Sequence, residues 1–427
     1  MIVAGTFAGL IVLLVIGAPI SFALIISGTA GLYFVGGAKA VLVVLATRPY
    51  ETASAYEFVA IPMFLLMAEF VLRSGIAEDL FRAASAWFGR IRGGLGIATA
   101  FAGAGFGAIC GSSTAAAATL SSTSLPAMLR YGYEKPMAAG VVAISGTLSI
   151  MIPPSLAMII YAILVDISIA KMLIAGVIPG LVVMTTIAAT VWFLAWQDPD
   201  RAPLAEPTPF MERIRLLRLV GPMLILFGSV TGVIYSGVAT PTEASAVGAT
   251  CAGIIYFIRG RRTFAEVWEL FSKAARTACM LAMIVLSAHV LSTFVALTRL
   301  ANDLVAWVGM LEVSPWSVIL ILVLIYILLG CVLDQMAILV LTLPVVAPLV
   351  HSLGFDLFWF GVIVIVTAEL GLVTPPFGLN VFVVAKHSGI PVGTVFRGTV
   401  PHVVAHLVAI GLLLAFPALS LWLPSQM

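Results

Sequence analysis

Two Pro-Pro pairs, each inside a long apolar run, mark where this chain could do chemistry. Pro153-Pro154 lies in GTLSIMIPPS and Pro375-Pro376 in ELGLVTPPFG. Upstream of each is an apolar run interrupted by small or polar residues: Gly111-Ser112-Ser113-Thr114 before the first, and Gly330-Cys331 through Asp334-Gln335 before the second. A proline has no N–H, and its ring clashes with the carbonyl one turn earlier. Backbone carbonyls near Gly146, Ser149 and Ile152, and near Gly371 and Thr374, are therefore expected to lose their helical partners. Bare carbonyls beside Ser and Thr hydroxyls are hard oxygen ligands suited to Na⁺, and half-helix N-termini at the interruptions offer N–H groups to an anion. The expectation is two equivalent cation sites flanking one anion site. A Pro-Pro pair can also simply kink a buried helix. Two matched pairs at corresponding places favour the ligand reading.

Other polar candidates carry less. Asp334, four residues after Gly330, either neutralises a cation and orients the tip or caps the next half-helix. Glu369, two residues before Gly371, either supports the second cation site from behind or pairs with a neighbouring helix. Glu69 precedes Arg73 by four, the spacing of a helical ion pair, and Asp166 reads as an exposed helix end. Thr240-Pro241-Thr242-Glu243 fits a capping box with proline at the first helical position. His402 and His406 share a helix face without a third ligand nearby, so they read as core residues. Ser168 and Lys171 match a bare SxxK by chance, and GxxxxGK[ST], HExxH and GxSxG are absent. Without a nucleotide site, any energy input must come from an ion gradient. Cys110, Cys251, Cys279 and Cys331 stand far apart without a CxxC and read as buried packers.

Composition decides what must position these residues. The 427 residues are 62% hydrophobic and 9% charged, with mean hydropathy +1.18. Soluble proteins average about 45–50% apolar and about 25% charged residues, so an all-α polytopic membrane protein is expected. A net charge of +2 leaves no basic surface for nucleic acid. With about 20 apolar residues per crossing, spans fall at 2–18, 20–36, 52–72, 136–166, 171–196, 220–236, 243–259, 277–298, 357–385 and 401–423. The first runs straight into the second without a basic n-region and reads as a mature span. Stretches 94–130 and 316–350 are broken in the middle and read as re-entrant hairpins. Segments 78–92 and 264–276 alternate charge with aromatics and read either as interfacial amphipathic helices or as ordinary loop helices.

The hydrophilic stretch 197–218, with four prolines and four arginines, reads as a linker between repeats at 1–196 and 219–427. Each half has five crossings, a hairpin and a Pro-Pro broken helix (136–166 and 357–385). Five is odd, so the second half should be inverted, an arrangement common among secondary transporters. This parity puts seventeen of the 21 Lys and Arg residues on one face, with only Lys39, Arg48, Lys171 and Arg299 on the other. By the positive-inside rule the seventeen and the linker face the cytoplasm, and both termini face outward.

Several stretches resemble the large membrane subunit of tripartite ATP-independent periplasmic (TRAP) transporters. They are IPMFLLMAEF at 61–70, GSSTAAAATL with LPAMLRYGY, GTLSIMIPPS running into AGVIPG, ATPTEASAVG at 239–248, and LGLVTPPFGLNVFV at 370–383. The resemblance covers nearly the whole chain. It implies an elevator-type scaffold carrying a transport domain made of the two hairpins and two broken helices. It also implies Na⁺-driven import, across the bacterial inner membrane, of a small organic acid delivered by a periplasmic substrate-binding protein. By motif match one sodium site falls at Ser112, Ser113, Ser149, Ile152 and Pro153. The other falls at Gly330, Gly371, Thr374 and Phe377, largely through main-chain oxygens. Gly111, Thr114, Pro154, Asp334, Gln335, Pro375 and Pro376 line the tip and substrate region, with Glu369 behind. Ser149 stands where the family pattern more often has glycine. A separate four-helix small membrane subunit is implied as partner. The nearest rival is a related Na⁺/carboxylate elevator transporter that needs no binding protein.

Overall fold

The computed structural model describes residues 1–427 and consists of helices and short connections, without a β-strand. The chain opens with α1 (Ile2–Val15) and α2 (Ile20–Ser54). Within α2, Gly37 adopts φ 68, a left-handed conformation that glycine tolerates. The helix kinks there and resumes past the expected end of the span at 36. A 3₁₀ turn leads into α3 (Ala60–Leu72), and a 62° bend separates this segment from α4 (Ile76–Phe88). The bend falls at Gly75, which also has positive φ. Leu80, Phe81, Ala83 and Ala86 of α4 are buried, while Arg82 and Trp87 are exposed, the one-sided pattern expected of an amphipathic arm.

Next come α5 (Gly94–Cys110) and α6 (Ser113–Arg130), then α7 (Lys135–Met151) and α8 (Leu156–Val165). The Leu95 N–H donates to the Tyr133 hydroxyl at 3.1 Å, and Thr99 Oγ1 approaches Met128 Sδ at 3.8 Å. Those pairings run in opposite directions about residue 114, so α5 and α6 form an antiparallel hairpin that turns back through Gly111-Ser112. A 43° bend separates α7 from α8 at the first Pro-Pro pair. The half closes with α9 (Ile169–Ala175) and α10 (Val177–Gln197).

After the polar connection come α11 (Phe210–Leu216), α12 (Gly221–Phe227) and α13 (Val233–Tyr235), joined by 3₁₀ and π turns into one apolar stretch, Phe210–Tyr235. Helix therefore begins inside the segment expected as linker, because Phe210-Met211 and Ile214 already carry apolar faces after the prolines end. Thr240 and Glu243 form a reciprocal capping box on α14 (Pro241–Ile258). A second box, Thr263–Glu266, starts α15 (Phe264–Leu297), which runs unbroken for 34 residues. The expected interfacial helix 264–276 and the span 277–298 are thus one rod, since no proline or glycine separates them. A further short helix, α16 (Leu300–Met310), was not anticipated.

The second half repeats the earlier pattern with α17 (Pro315–Gly330), α18 (Gln335–Ser352), α19 (Leu357–Gly371) and α20 (Leu379–Ser388). It ends in α21 (Val392–Ala415) and the short α22 (Ala418–Leu421). The Tyr326 hydroxyl and Thr342 Oγ1 meet at 2.7 Å, so α17 and α18 also fold back as a hairpin. Six helical stretches are long and apolar enough to cross a membrane, and two bent pairs bring the count to eight, against ten expected crossings. At 14 residues α1 falls short. The arm α18 qualifies although it belongs to a hairpin, so length alone does not separate an arm from a crossing.

Two bodies of packing emerge. In one, α2 lies along α15 and α3 against α14, with Gly28 and Gly31 admitting Leu291 and Phe294. In the other, hairpins and broken helices interlock: α5 packs on α7 as α17 does on α19, and α6 meets α20 as α18 meets α8. The charged ends are cross-linked by Lys273–Glu69 at 2.8 Å, Arg73–Glu269 at 3.0 Å and Arg259–Asp79 at 2.6 Å. Glu69 and Arg73 therefore do not pair with each other as the sequence suggested. Each reaches α15 instead, because Lys273 and Glu269 sit one helical turn apart on its facing side.

Candidate ion and substrate site

At the first break the hydrogen-bond pattern follows from the prolines. The Ile152 N–H still reaches the Leu148 carbonyl at 3.2 Å, but the next two residues have no N–H to give. No backbone or side-chain donor reaches any carbonyl from Ser149 to Pro154. All of these residues are buried. Orphaned carbonyls at such depth are costly unless something polar or cationic completes them. Met151 caps nothing, whereas Ser155 Oγ caps α8 by accepting from the Met158 N–H at 3.3 Å.

The first hairpin tip closes over these carbonyls. Ser112 Oγ caps α6, accepting from the Ala115 N–H at 3.5 Å, and lies 3.4 Å from Thr114 Oγ1. Gly111 takes φ 61, and an added Cβ there would lie 3.4 Å from the Pro154 carbonyl. Gly146 leaves room for the Ser113 carbonyl, and Gly107 lets α5 touch the Ser149 backbone directly. Glycine at 107 compensates for a side chain at 149. Ser149 Oγ turns back to donate to the Gly146 carbonyl, so at this position the group left free is the carbonyl. The tip thus meets the broken helix at three places: Gly111 beside the Pro154 carbonyl, Ser113 beside Gly146, and Gly107 beside Ser149.

The second break is longer and more open. The Gly371 carbonyl, expected to be free, accepts the Thr374 N–H at 3.1 Å, because the last turn tightens to a 3₁₀ pattern. Leu372 and Val373 carbonyls are taken by the Asn380 N–H and Thr399 Oγ1. Those of Thr374, Pro375, Pro376 and Phe377 have no donor. Thr374 Oγ1 donates to the Leu370 carbonyl at 2.7 Å. Gly330 and Gly371 are in backbone contact: an added Cβ on Gly371 would enter the Gly330 main chain, and one on Gly330 would run into the Ala368 carbonyl. The Gly330 carbonyl accepts no N–H. Phe377 is exposed, as are Pro375 and Pro376.

Asp334 stands at the start of α18 without a side-chain cap bond. Gln335 beside it is buried, with neither amide atom hydrogen-bonded. Glu369 is fully buried near the Ser113 hydroxyl, yet neither carboxylate oxygen is bonded. His402 and His406 are buried with unbonded ring nitrogens, and no cluster of three metal-type side chains exists. Asp166 is an exposed left-handed helix end and Ser168 merely caps α9. Sequence reasoning missed Asn380, which is fully buried and donates through Nδ2 to Ser113 Oγ at 2.6 Å.

An all-helical protein with two antiparallel hairpins folded against two interrupted helices is a polytopic membrane protein by architecture. Two solved structures share that fold: the YdaH transporter of Alcanivorax borkumensis (TM-score 0.57, 15% identity, 90% of this chain and 89% of that one) and MtrF of Neisseria gonorrhoeae (TM-score 0.59, 14% identity, 93% of each). Residues 7–419 match the family described as "Tripartite ATP-independent periplasmic transporter, DctM component". The chain belongs to this family and is a TRAP transporter large permease. It is 34% identical to the C4-dicarboxylate TRAP transporter large permease of Pseudomonas aeruginosa over 89% of both chains, and 31% identical to that of Rhodobacter capsulatus over 98% of both. It is 28% identical to the sialic acid TRAP large permease of Vibrio cholerae, again over 98% of both.

Proposed function

We propose that this permease imports a small organic acid by coupling it to Na⁺. One ion binds among Ser112, Ser113, Ser149, Ile152 and Pro153, and the other among Gly330, Gly371, Thr374 and Phe377. The observation that carries this reading is the run of buried carbonyls from Ser149 to Pro154 that no N–H reaches. Na⁺ satisfies such oxygens without a proton donor, as unwound backbone does in other secondary transporters. The carboxylate of the cargo lies between the tips, where the N-terminal N–H groups of α6 and α18 and the unbonded Gln335 amide supply donors. The halves 1–196 and 219–427 form inverted repeats joined through the cytoplasmic stretch 197–218. Hairpins and broken helices move as one body against the α2–α15 and α3–α14 scaffold. The chain sits in the bacterial inner membrane with both termini periplasmic. It works with a four-helix small membrane subunit and a periplasmic binding protein that delivers the cargo. The relatives carry C4-dicarboxylate, sialic acid and ectoine names, which sets the first panel of cargoes to test.

Reconstitution in liposomes tests the proposal. Uptake of a radiolabelled cargo is expected only with inward-directed Na⁺, the small subunit and the loaded binding protein together. Uptake by this chain alone in Na⁺ identifies instead a transporter that needs no binding protein. Uptake unaffected by replacing Na⁺ with choline contradicts the ion assignment.

A further inference from the structure

Asn380 lies just beyond the second break and belongs to neither proposed ligand set. Its backbone N–H donates to the Leu372 carbonyl at 3.1 Å, bridging the ends of that break. Its side chain reaches the other half of the chain: Nδ2 donates to Ser113 Oγ at 2.6 Å and approaches the Ala143 carbonyl of α7 at 3.4 Å. Asn380 is fully buried, and its Oδ1 has no partner. One residue thus holds the second break by its main chain and the first hairpin tip by its side chain. A serine hydroxyl has two acceptor lone pairs. With one taken by the amide, the Ser113 oxygen is held in one orientation and its other lone pair stays available to a cation.

We propose that Asn380 is a positioning residue that couples the two cation sites, so that an ion at one break raises the affinity of the other. This rests on the sodium reading above. An ion at the second break orders residues 371–380 and fixes Asn380, which presets Ser113 for the first site. The second ion then meets a site whose ordering cost is already met, and the effect is reciprocal.

The experiment needs no knowledge of the cargo. The permease is purified with its small subunit and titrated with NaCl, with choline chloride holding ionic strength constant. Thermal stability and tryptophan fluorescence report binding. The parent complex is expected to give a Hill coefficient above 1. Asn380→Ala is expected to bring the coefficient toward 1 and raise half-saturating Na⁺ roughly tenfold, within the usual range of coupling between sites. Asn380→Leu keeps about the same volume but can neither donate nor accept a hydrogen bond, and should behave like the alanine variant. It supplies the reading if the alanine variant does not fold. Ser113→Ala combined with Asn380→Ala should shift the curve no further than Ser113→Ala alone. Sodium curves identical to the parent overturn the coupling. So does a variant that loses stability equally in choline and in sodium, since Asn380 would then only pack. A parent complex with no sodium response refutes the sodium reading itself, a separate outcome.

Discussion

At the scale of single residues, what matters is which oxygen is left without a hydrogen. At position 149 the hydroxyl is spent inside its own helix, so Ser149→Ala should leave half-activating Na⁺ within about twofold of the parent. In the proposed first site Ser113 contributes its hydroxyl oxygen, which Asn380 holds at 2.6 Å, and Ser113→Ala should raise half-activating Na⁺ roughly tenfold, the scale of one lost buried polar interaction. Thr374→Ala should raise it more modestly, roughly threefold, because its hydroxyl donates to the Leu370 carbonyl and its main-chain oxygen remains. Sodium titrations of uptake, normalised to the protein in the membrane, check all three. Equal curves for the parent, Ser113→Ala and Thr374→Ala would contradict the ligand assignment. The prolines made the bare carbonyls legible in the sequence, since a missing N–H is visible in one letter. Asn380 was not legible. Nothing in LNVFVV says that an asparagine after the second break will meet a serine 267 positions earlier, because long-range side-chain pairing leaves no local pattern.

At the scale of elements, close backbone approach is what joins each hairpin to its broken helix. Gly371 has the Gly330 main chain where a Cβ would go, whereas Gly393, at the start of α21, has nothing within 4 Å. Gly371→Ala should destabilise the complex by about 1–3 kcal/mol, as overpacking does, and abolish uptake. Gly393→Ala should be neutral or slightly stabilising. Thermal unfolding of both variants checks this, and equal melting temperatures would show that the glycine contact is not tight. Hairpins and breaks were readable because small polar residues interrupt apolar runs. The continuity of α15 and the existence of α16 were not, since a helix ends where packing and capping stop it. The Thr263 capping box starts α15, and the sequence reading passed over it. The pairing of Glu69 with Lys273 rather than Arg73 likewise depends on which helices are neighbours.

At the scale of the whole molecule, charge sets the orientation. The ion pairs Lys273–Glu69, Arg73–Glu269 and Arg259–Asp79 gather at one end of the scaffold, among the basic residues that parity assigns to the cytoplasm. Glu206→Cys, placed in the connecting stretch on a cysteine-free background, should react with a membrane-impermeant maleimide in inside-out vesicles only. Reaction in intact cells would invert the proposed topology. The two breaks also differ in exposure: the first is wholly buried, while Pro375, Pro376 and Phe377 of the second are exposed. An elevator carrying both sites as one body should exchange that asymmetry between its two end states. The most direct test of the account is a pair of high-resolution density maps of the permease–small subunit complex, one in NaCl and one in choline chloride. The expected result is a compact peak within about 2.5 Å of the Ser149 and Ile152 carbonyls and a second between Gly330 and Thr374, both absent in choline, with each hairpin tip ending inside the bilayer. Breaks without a peak in NaCl, or hairpin arms running through to the opposite face, would contradict it.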